Sequence, residues 1–210
     1  NESIYGGGLG RFVSLLEDLV MMDPSKDAKW FQILCVSSLQ TLGLMSSWCT
    51  QLTKRISPLL FRFCSEPSAL SPGCVQTSMV ALCDLLNRDE RSGVNPKDIM
   101  AALVKTTKNS ENPSQLRIHA VALLAVCLLG NLVPFENHLH HLAYSTSDHT
   151  NNVACCCRDA LQILFHRRLK GPSLKAKTIY RIIHSLEELS EKGDDQKKMV
   201  HKRRHLCNSL

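Results

Sequence analysis

The sequence predicts an all-α fold, and three observations lead to this prediction. Apolar residues recur at the three-to-four spacing of a helix over most of the chain. A sustained apolar–polar alternation, which a half-buried strand would show, is missing, and so is an Asn-Gly or Asp-Gly hairpin turn. The helical pattern breaks at Pro, Gly, Asn and Asp, the residues that end helices or form turns. We therefore expect helices joined by short connections.

The pattern predicts nine helices in chain order. Pro72, Pro96, Pro113 and Pro134 stand at or near helix starts, where the missing N–H of proline removes no hydrogen bond. Pro58 lies inside the third helix and predicts a kink, or a break near Ser57. The predicted ranges are Leu9–Met22, Asp27–Ser46, Gln51–Cys64, Pro72–Asn87, Pro96–Lys108, Pro113–Gly130, Pro134–Tyr144, Asn152–Leu169 and Ser173–Glu191.

An internal repeat of about 40 residues runs through the second, fourth, sixth and eighth of these helices. In each, a small residue directly precedes a leucine, and a further apolar residue follows three positions on. Small residues let a neighbouring helix approach closely, and the larger ones fill the space between the helices. The leucines are Leu39, Leu82, Leu123 and Leu161, at spacings of 43, 41 and 38 residues, and the apolar residues after them are Leu42, Leu85, Val126 and Leu164.

This pattern resembles HEAT and armadillo-like helical repeats over about residues 9 to 191. The resemblance implies a right-handed α-solenoid of about four and a half helix pairs, in which stacked pairs share one core. An Asp and an Arg near the helix boundaries, typical of HEAT repeats, are mostly missing; Arg117 and Arg158 are the nearest candidates. An irregular helical bundle is the alternative fold.

Three segments follow from this pattern and from the distribution of charge. Residues 1–8 are expected to be a flexible lead-in, 9–191 the helical-repeat domain and 192–210 a basic C-terminal extension. The 210-residue chain carries a formal net charge of +6. Residues 166–210 contain 12 basic and 5 acidic residues, a net charge of +7, so the whole positive excess lies near the C-terminus. The polar, Gly-rich start without Met also leads us to expect a piece of a longer protein.

The basic C-terminal residues are candidates for a nuclear import signal, or for contacts with phosphates or an acidic partner. No aromatic residue is interleaved with the closing run, so nucleic-acid binding there would be nonspecific in sequence. A solvated helix extension is the alternative interpretation. The candidate residues are Arg167, Arg168, Lys197, Lys198, Lys202, Arg203 and Arg204.

A stretch rich in His and Cys contains the candidate metal ligands. His138 and His141 share a helix face, and His149 and Cys155 could complete a tetrahedral zinc site if the intervening loop folded back. The chain contains no C-x-x-C and no H-E-x-x-H motif. We therefore interpret the stretch as a polar, exposed His face followed by a buried Cys face, and we predict no metal and no cofactor.

The remaining features bear on function. Catalytic motifs such as G-x-S-x-G are missing, and aromatic residues make up only 5% of the chain, so neither catalysis nor base stacking is predicted as the main activity. The apolar run Ala120–Leu129 is too short to cross a bilayer, so no membrane association is predicted. Ten cysteines, mostly within apolar helical patterns, indicate a reduced, intracellular protein, with the nucleus preferred to the cytoplasm.

These observations predict a non-enzymatic scaffold or adaptor domain for protein–protein interaction within a larger protein. Its partner would be another protein or the rest of its own chain, with no small-molecule substrate. The alternative is a nucleic-acid-associated helical domain that uses the basic C-terminal edge.

Overall fold

A computed structural model describes residues 7–22, 29–65, 71–86, 94–168 and 172–191. These ranges contain nine α-helices and no β-strand, which confirms the all-α prediction, and every helix begins and ends within two residues of its predicted bounds. The helices are α1 (Gly8–Met21), α2 (Lys29–Trp48), α3 (Thr50–Ser65), α4 (Pro72–Leu86), α5 (Pro96–Lys108), α6 (Ser114–Leu129), α7 (Phe135–Ser145), α8 (Asn151–Arg168) and α9 (Pro172–Glu191).

The chain divides into two compact units, residues 1–102 and residues 103–210. The boundary falls inside α5, so one continuous helix contributes to both units. Residues 1–6 of the predicted lead-in and the whole predicted extension, 192–210, lie outside the described residues.

In the first unit the helices form two stacked pairs. Helix α1 packs on α2, α3 packs on α4, and α2 also contacts both α3 and α4. The second helix of one pair therefore lies directly on the second helix of the next pair. The core of this unit includes the buried side chains of Val13, Leu16, Leu39, Leu42, Ile56, Leu60, Met79 and Leu82.

Small residues bring α2 and α4 together, as the repeat pattern predicts. A Cβ atom added to Gly43 would lie 2.7 Å from the Cβ of Ala81, which is closer than two carbon atoms can approach without a shift. Ser46 and Ser78 on the same two helices are fully buried. The hydroxyl of Ser46 donates to the carbonyl oxygen of Leu42, so it can be buried without losing a hydrogen bond.

In the second unit, α6, α7 and α8 repeat the arrangement of α2, α3 and α4. Helix α6 contacts α7 and α8, α7 contacts α8 and α9, and α6 and α8 stack as α2 and α4 do. Alternating contacts within and between helix pairs are the packing of an α-solenoid, so the predicted fold class is confirmed within each unit. The handedness of the array stays a prediction. The core of this unit includes Leu116, Val121, Leu124, Leu128, Leu139, Leu142, Val153, Leu161 and Leu164.

The repeat register predicted for α6 is wrong by one residue. Leu39, Leu82 and Leu161 are fully buried, as predicted, but Leu123 is only partly buried and Val126 is exposed. The buried leucine of α6 is Leu124. Because α6 is apolar around most of its circumference, its sequence alone does not distinguish the core face from the neighbouring positions.

Helix α3 continues through Pro58 without the break predicted near Ser57. Proline removes the N–H that would bond to the carbonyl of residue Lys54. Both Pro58 and Lys54 are exposed, so water can reach the freed carbonyl oxygen and the helix need not end there.

A buried ion pair closes the connection between α7 and α8. Arg117, on α6, donates to the carboxylate of Asp148 and also to Thr150 Oγ1 at 2.8 Å. The other oxygen of Asp148 accepts the backbone N–H of Thr150 at 2.8 Å. Of the two arginines noted in the sequence, Arg117 thus lies in the repeat core. Arg158 instead reaches the carbonyl of Thr146.

Candidate functional site

The largest exposed apolar side chains of the first unit include a row along α2. Trp30 and Trp48, the only two tryptophans of the chain, are 64% and 85% exposed. Ile33, Leu34 and Leu44 lie on the same side of the helix and are also exposed. We call these five residues the α2 stripe.

Helix geometry explains why these residues share a face. Leu34 lies four residues after Trp30, Leu44 ten residues after Leu34, and Trp48 four residues after Leu44. These intervals are sums of three- and four-residue steps, which keep side chains within a narrow band along a helix. The core-facing residues of α2, such as Leu39, occupy the opposite side. Helix α2 is therefore apolar on two faces, whereas an ordinary surface helix is apolar on one.

The α2 stripe is uncharged as well as apolar. No Asp, Glu, Lys or Arg occurs from Trp30 to Thr53. The hydroxyl of Thr41, which lies in line with the stripe, donates to the carbonyl of Ser37 at 2.8 Å, and the hydroxyl of Ser47 donates to the carbonyl of Leu44 at 2.6 Å. Covering this surface would therefore remove mainly apolar area from water, which is favourable.

A second set of exposed apolar residues lies on α1, at Leu9, Phe12 and Leu15. Beside it, an open groove carries charged groups. Arg55, on α3, donates to the carboxylate of Glu17, on α1. The groove is lined by Gly10, Arg11, Ser14, Leu15, Asp18 and Arg55. An apolar centre with a polar rim is the usual composition of a protein-binding surface.

The candidate zinc ligands do not come together. His138 and His141 lie on α7 with their ring centroids 6.1 Å apart. His149 is exposed beside Asp148, with Nδ1 and Oδ1 3.5 Å apart, and Cys155 lies on α8 next to Asn151 and Arg158. Within the described residues, no three His, Cys, Asp or Glu side chains form a group that could hold a metal ion.

The histidines of α7 are less exposed than the sequence interpretation expected. Burial lowers the pKa of His138 below its ordinary range. Burial, with the nearby positive charges that His140 and Lys108 can carry, lowers the pKa of His141 to about 3. The predicted exposed His face is therefore wrong for these two residues, which are partly buried and neutral near pH 7.

The three adjacent cysteines of α8 point in different directions, as helix geometry requires. Cys157 is fully buried, whereas Cys155 and Cys156 are partly exposed. Burial raises the pKa of Cys157, and burial with the charge of Asp159 raises the pKa of Cys156. Burial therefore disfavours the thiolate form of both Cys156 and Cys157.

A close thiol pair, which the sequence did not indicate, joins α2 and α4. The Sγ atoms of Cys35 and Cys74 lie 3.4 Å apart, although 39 residues separate them. The hydrogen bond shared with the Cys35 thiol, and that with Ser71, lower the pKa of Cys74 below its ordinary value, although burial acts to raise it. Only the stacking of α2 on α4 brings the two sulfurs together, so the sequence carries no local signal for the pair.

Only two of the basic residues proposed as an import signal or phosphate contact lie within the described part of the chain. Arg167 and Arg168 lie in the last turn of α8, where cations interact favourably with the helix dipole. Arg168 also lies over the ring of Phe135, with its guanidinium carbon 5.9 Å from the ring centroid. The other candidates, Lys197, Lys198, Lys202, Arg203 and Arg204, lie outside the described residues.

Comparison with known proteins gives two kinds of result. No family model and no curated protein sequence matches the chain. Two solved structures are similar to it at low identity. One is a crystal structure of an engineered protein, at 15% identity and a TM-score of 0.43, covering 92% of this chain and 77% of that one. Another is a designed armadillo repeat protein in complex with a (KR)4 peptide, at 14% identity and a TM-score of 0.39, covering 92% of this chain and 98% of that one.

The described helices were also compared with the requirements of a membrane span. None of them combines the length and the hydropathy that crossing a bilayer needs.

Proposed function

We propose that this chain is a non-enzymatic helical-repeat domain that binds protein, and that the α2 stripe forms the centre of its binding surface. The observation that carries the proposal is the exposure of both tryptophans on one uncharged helix face. Large exposed aromatic and aliphatic side chains cost solubility, and tryptophan is the residue most enriched at binding hot spots.

The architecture supports the same function. A helix pair cannot bury its apolar surface alone, so an array of stacked pairs leaves apolar positions at its ends unless polar residues cap them. Helix α2 contacts α1, α3 and α4 on its core side, and the α2 stripe is left uncovered by the described residues of the first unit. Of the two binding surfaces a solenoid offers, the groove and an end, the exposed residues favour the end.

A capture experiment tests the proposal. The full chain is used as bait in nuclease-treated lysate beside a variant carrying Trp30→Ser and Trp48→Ser. Tyr180→Ser is the matched control, because Tyr180 is an exposed aromatic residue on α9. We expect the control to retain the stoichiometric partners of the wild type and the tryptophan variant to lose them. Equal capture by all three baits would remove the α2 stripe from the proposal.

The charge distribution favours a second candidate function, binding to a phosphate backbone through the C-terminal edge. Lys175, Lys177 and Arg181 are exposed on α9, in line with the net charge of +7 over residues 166–210. Binding of this kind weakens steeply with salt, because each neutralised phosphate releases a counterion.

Titration of the full chain with a fluorescent DNA duplex at several salt concentrations tests this second function. Neutralising Lys197, Lys198 and Lys202 should reduce the salt slope by about one per lost phosphate contact. An unchanged slope would exclude these residues as the binding edge and leave the nuclear import signal as their proposed role. Nuclear placement is proposed on the same residues, and a fluorescent fusion with and without them tests it.

A further inference from the structure

We propose that the α2 stripe binds a second copy of this chain, with the two α2 helices antiparallel and the two-fold axis crossing the stripe between Ser37 and Thr41, level with position 39. This inference rests on the proposed function and names the partner for the same surface.

The arrangement of residues along the stripe is self-complementary. One line along this face consists of six residues that are symmetric in type and spacing about position 39, and Ile33, the fifth member of the stripe, lies beside this line. Trp30 and Trp48 are each nine positions from that centre, Leu34 and Leu44 are each five, and Ser37 and Thr41 are each two. The line therefore reads Trp-Leu-Ser-Thr-Leu-Trp, at steps of 4, 3, 4, 3 and 4 residues.

A two-fold axis pairs each surface position i with a position j on the other copy, and j with i. A line that is symmetric in residue type therefore brings like side chains together. In the antiparallel arrangement, Trp30 faces Trp48 of the partner subunit, and Leu34 faces Leu44 of the partner subunit. The alternating steps of three and four are those of a coiled-coil seam, which keeps every one of these residues on the line of contact.

The centre of the line is small, and the hydroxyl of Thr41 is already hydrogen-bonded. Ser37 and Thr41 have short side chains, so two helices can approach closely at the axis. The Thr41 hydroxyl donates to the Ser37 carbonyl within its own helix, so burying it leaves no unsatisfied donor. The polar central layer would also fix the register of the two helices, as a single polar seam position does in coiled coils.

The exposed area suits a dimer. Fully burying an aromatic side chain removes ~150–250 Å² from water, so two tryptophans and three aliphatic residues at their observed exposures offer roughly 600 Å² per copy. Two copies would bury on the order of 1,200 Å², the lower limit of specific protein interfaces. Since the stripe carries no charge, it also offers nothing to an acidic or basic peptide.

Sedimentation velocity of the full chain over a concentration series in the micromolar range tests the inference. We expect the wild type to pass from monomer to dimer. Tryptophan emission should shift to shorter wavelength over the same range, because both tryptophans lie on the stripe and the chain has no others. Leu34→Glu and Leu44→Lys should each raise the dimer dissociation constant on the order of 100-fold, because each buries an unpaired charge.

Mixing the two variants tests the register. In the mixed antiparallel dimer, the introduced carboxylate faces the introduced ammonium group in one layer, and Leu44 faces Leu34 of the partner subunit in the other. We expect the mixture to dimerise at least tenfold more tightly than either variant alone. Val80→Glu, on an exposed site of α4, is the matched control and should dimerise as the wild type does. Circular dichroism confirms that each variant is folded.

The outcomes separate this inference from the proposed function. A wild type that stays monomeric, a dimer insensitive to Leu34→Glu, or variants that do not rescue one another would each overturn the antiparallel dimer. If the wild type is monomeric and the tryptophan variant still loses partners from lysate, protein binding through the stripe stands and the second copy does not.

Discussion

Arg117 and Asp148 form a buried ion pair across 31 residues of sequence, between α6 and the turn that leads into α8. The side chains are 3% and 11% exposed, so removing either partner would leave the other charged and mostly shielded from water. Asp148 also holds the backbone of Thr150, which places the first turn of α8. Helix α8 packs on α6. The ion pair therefore connects α6 to the turn from which α8 begins.

Breaking this pair should destabilise the protein strongly. We expect Arg117→Met to lower the free energy of unfolding by about 3–5 kcal/mol, since it strands a buried carboxylate. Urea denaturation monitored by circular dichroism gives the value. The double variant Arg117→Met with Asp148→Leu should lose less than Arg117→Met alone, because it leaves no charge behind. A cost below about 1 kcal/mol for the single change would show that the pair is not buried in solution.

The contact between Gly43 and Ala81 predicts a clash that a second substitution relieves. Gly43→Val should lower the free energy of unfolding by about 1–3 kcal/mol, because its Cβ would start 2.7 Å from that of Ala81. Adding Ala81→Gly should recover part of this loss. Gly8→Val is the control: nothing lies within 4 Å of a Cβ there, so a change of about 0.5 kcal/mol or less is expected. Equal losses at both glycines would argue against the close approach of α2 and α4.

The corrected register of α6 predicts how much each of three positions on this helix contributes to stability. Leu124→Ala should cost about 2–5 kcal/mol, because Leu124 is 1% exposed and its loss leaves a cavity. Val126→Ala should be close to neutral, since Val126 is exposed. Thermal or urea unfolding of the two variants compares them directly, with Leu123→Ala expected to fall between them. A larger loss at Val126 than at Leu124 would restore the register predicted from the sequence.

The buried imidazole of His141 predicts that stability falls in mild acid. Its pKa is about 3 in the folded protein, whereas an unfolded histidine titrates near its ordinary value of about 6.5. Between these values the unfolded chain binds the additional proton, so the free energy of unfolding decreases as the pH falls below about 6.5.

Urea unfolding between about pH 7 and pH 5 measures this effect. One proton changes the unfolding constant by at most about tenfold per pH unit. His141→Gln should flatten the dependence, and His166→Gln, at an exposed site on α8, should leave it unchanged. A dependence that persists fully in His141→Gln would assign it to other groups.

The helices could be predicted closely from the sequence, because proline and other breaking residues bound each apolar segment. The register of α6 could not, because a helix with apolar residues nearly all round gives no preferred face to Leu123 or Leu124. Burial of His141 and the pairing of Cys35 with Cys74 depend on contacts between different helices, which no local sequence pattern reveals. The α2 stripe was not predicted, because the helical pattern of apolar residues gives Trp30 and Trp48 no feature that distinguishes them from core residues. Only the packing of α2 on its neighbours shows that the opposite face of the helix is the buried one.

The contacts between helices also bear on how the chain reaches its fold. Within each unit, every helix that packs extensively does so on one of the next two helices along the chain. Such contacts close loops of a few tens of residues, such as the 39 between Cys35 and Cys74. Closing them costs less chain entropy than joining distant parts of the chain would. Small two-state helical proteins, which are rich in local contacts, fold in microseconds to milliseconds. A stopped-flow trace of this chain should therefore show most of its helical signal returning within the dead time of the instrument.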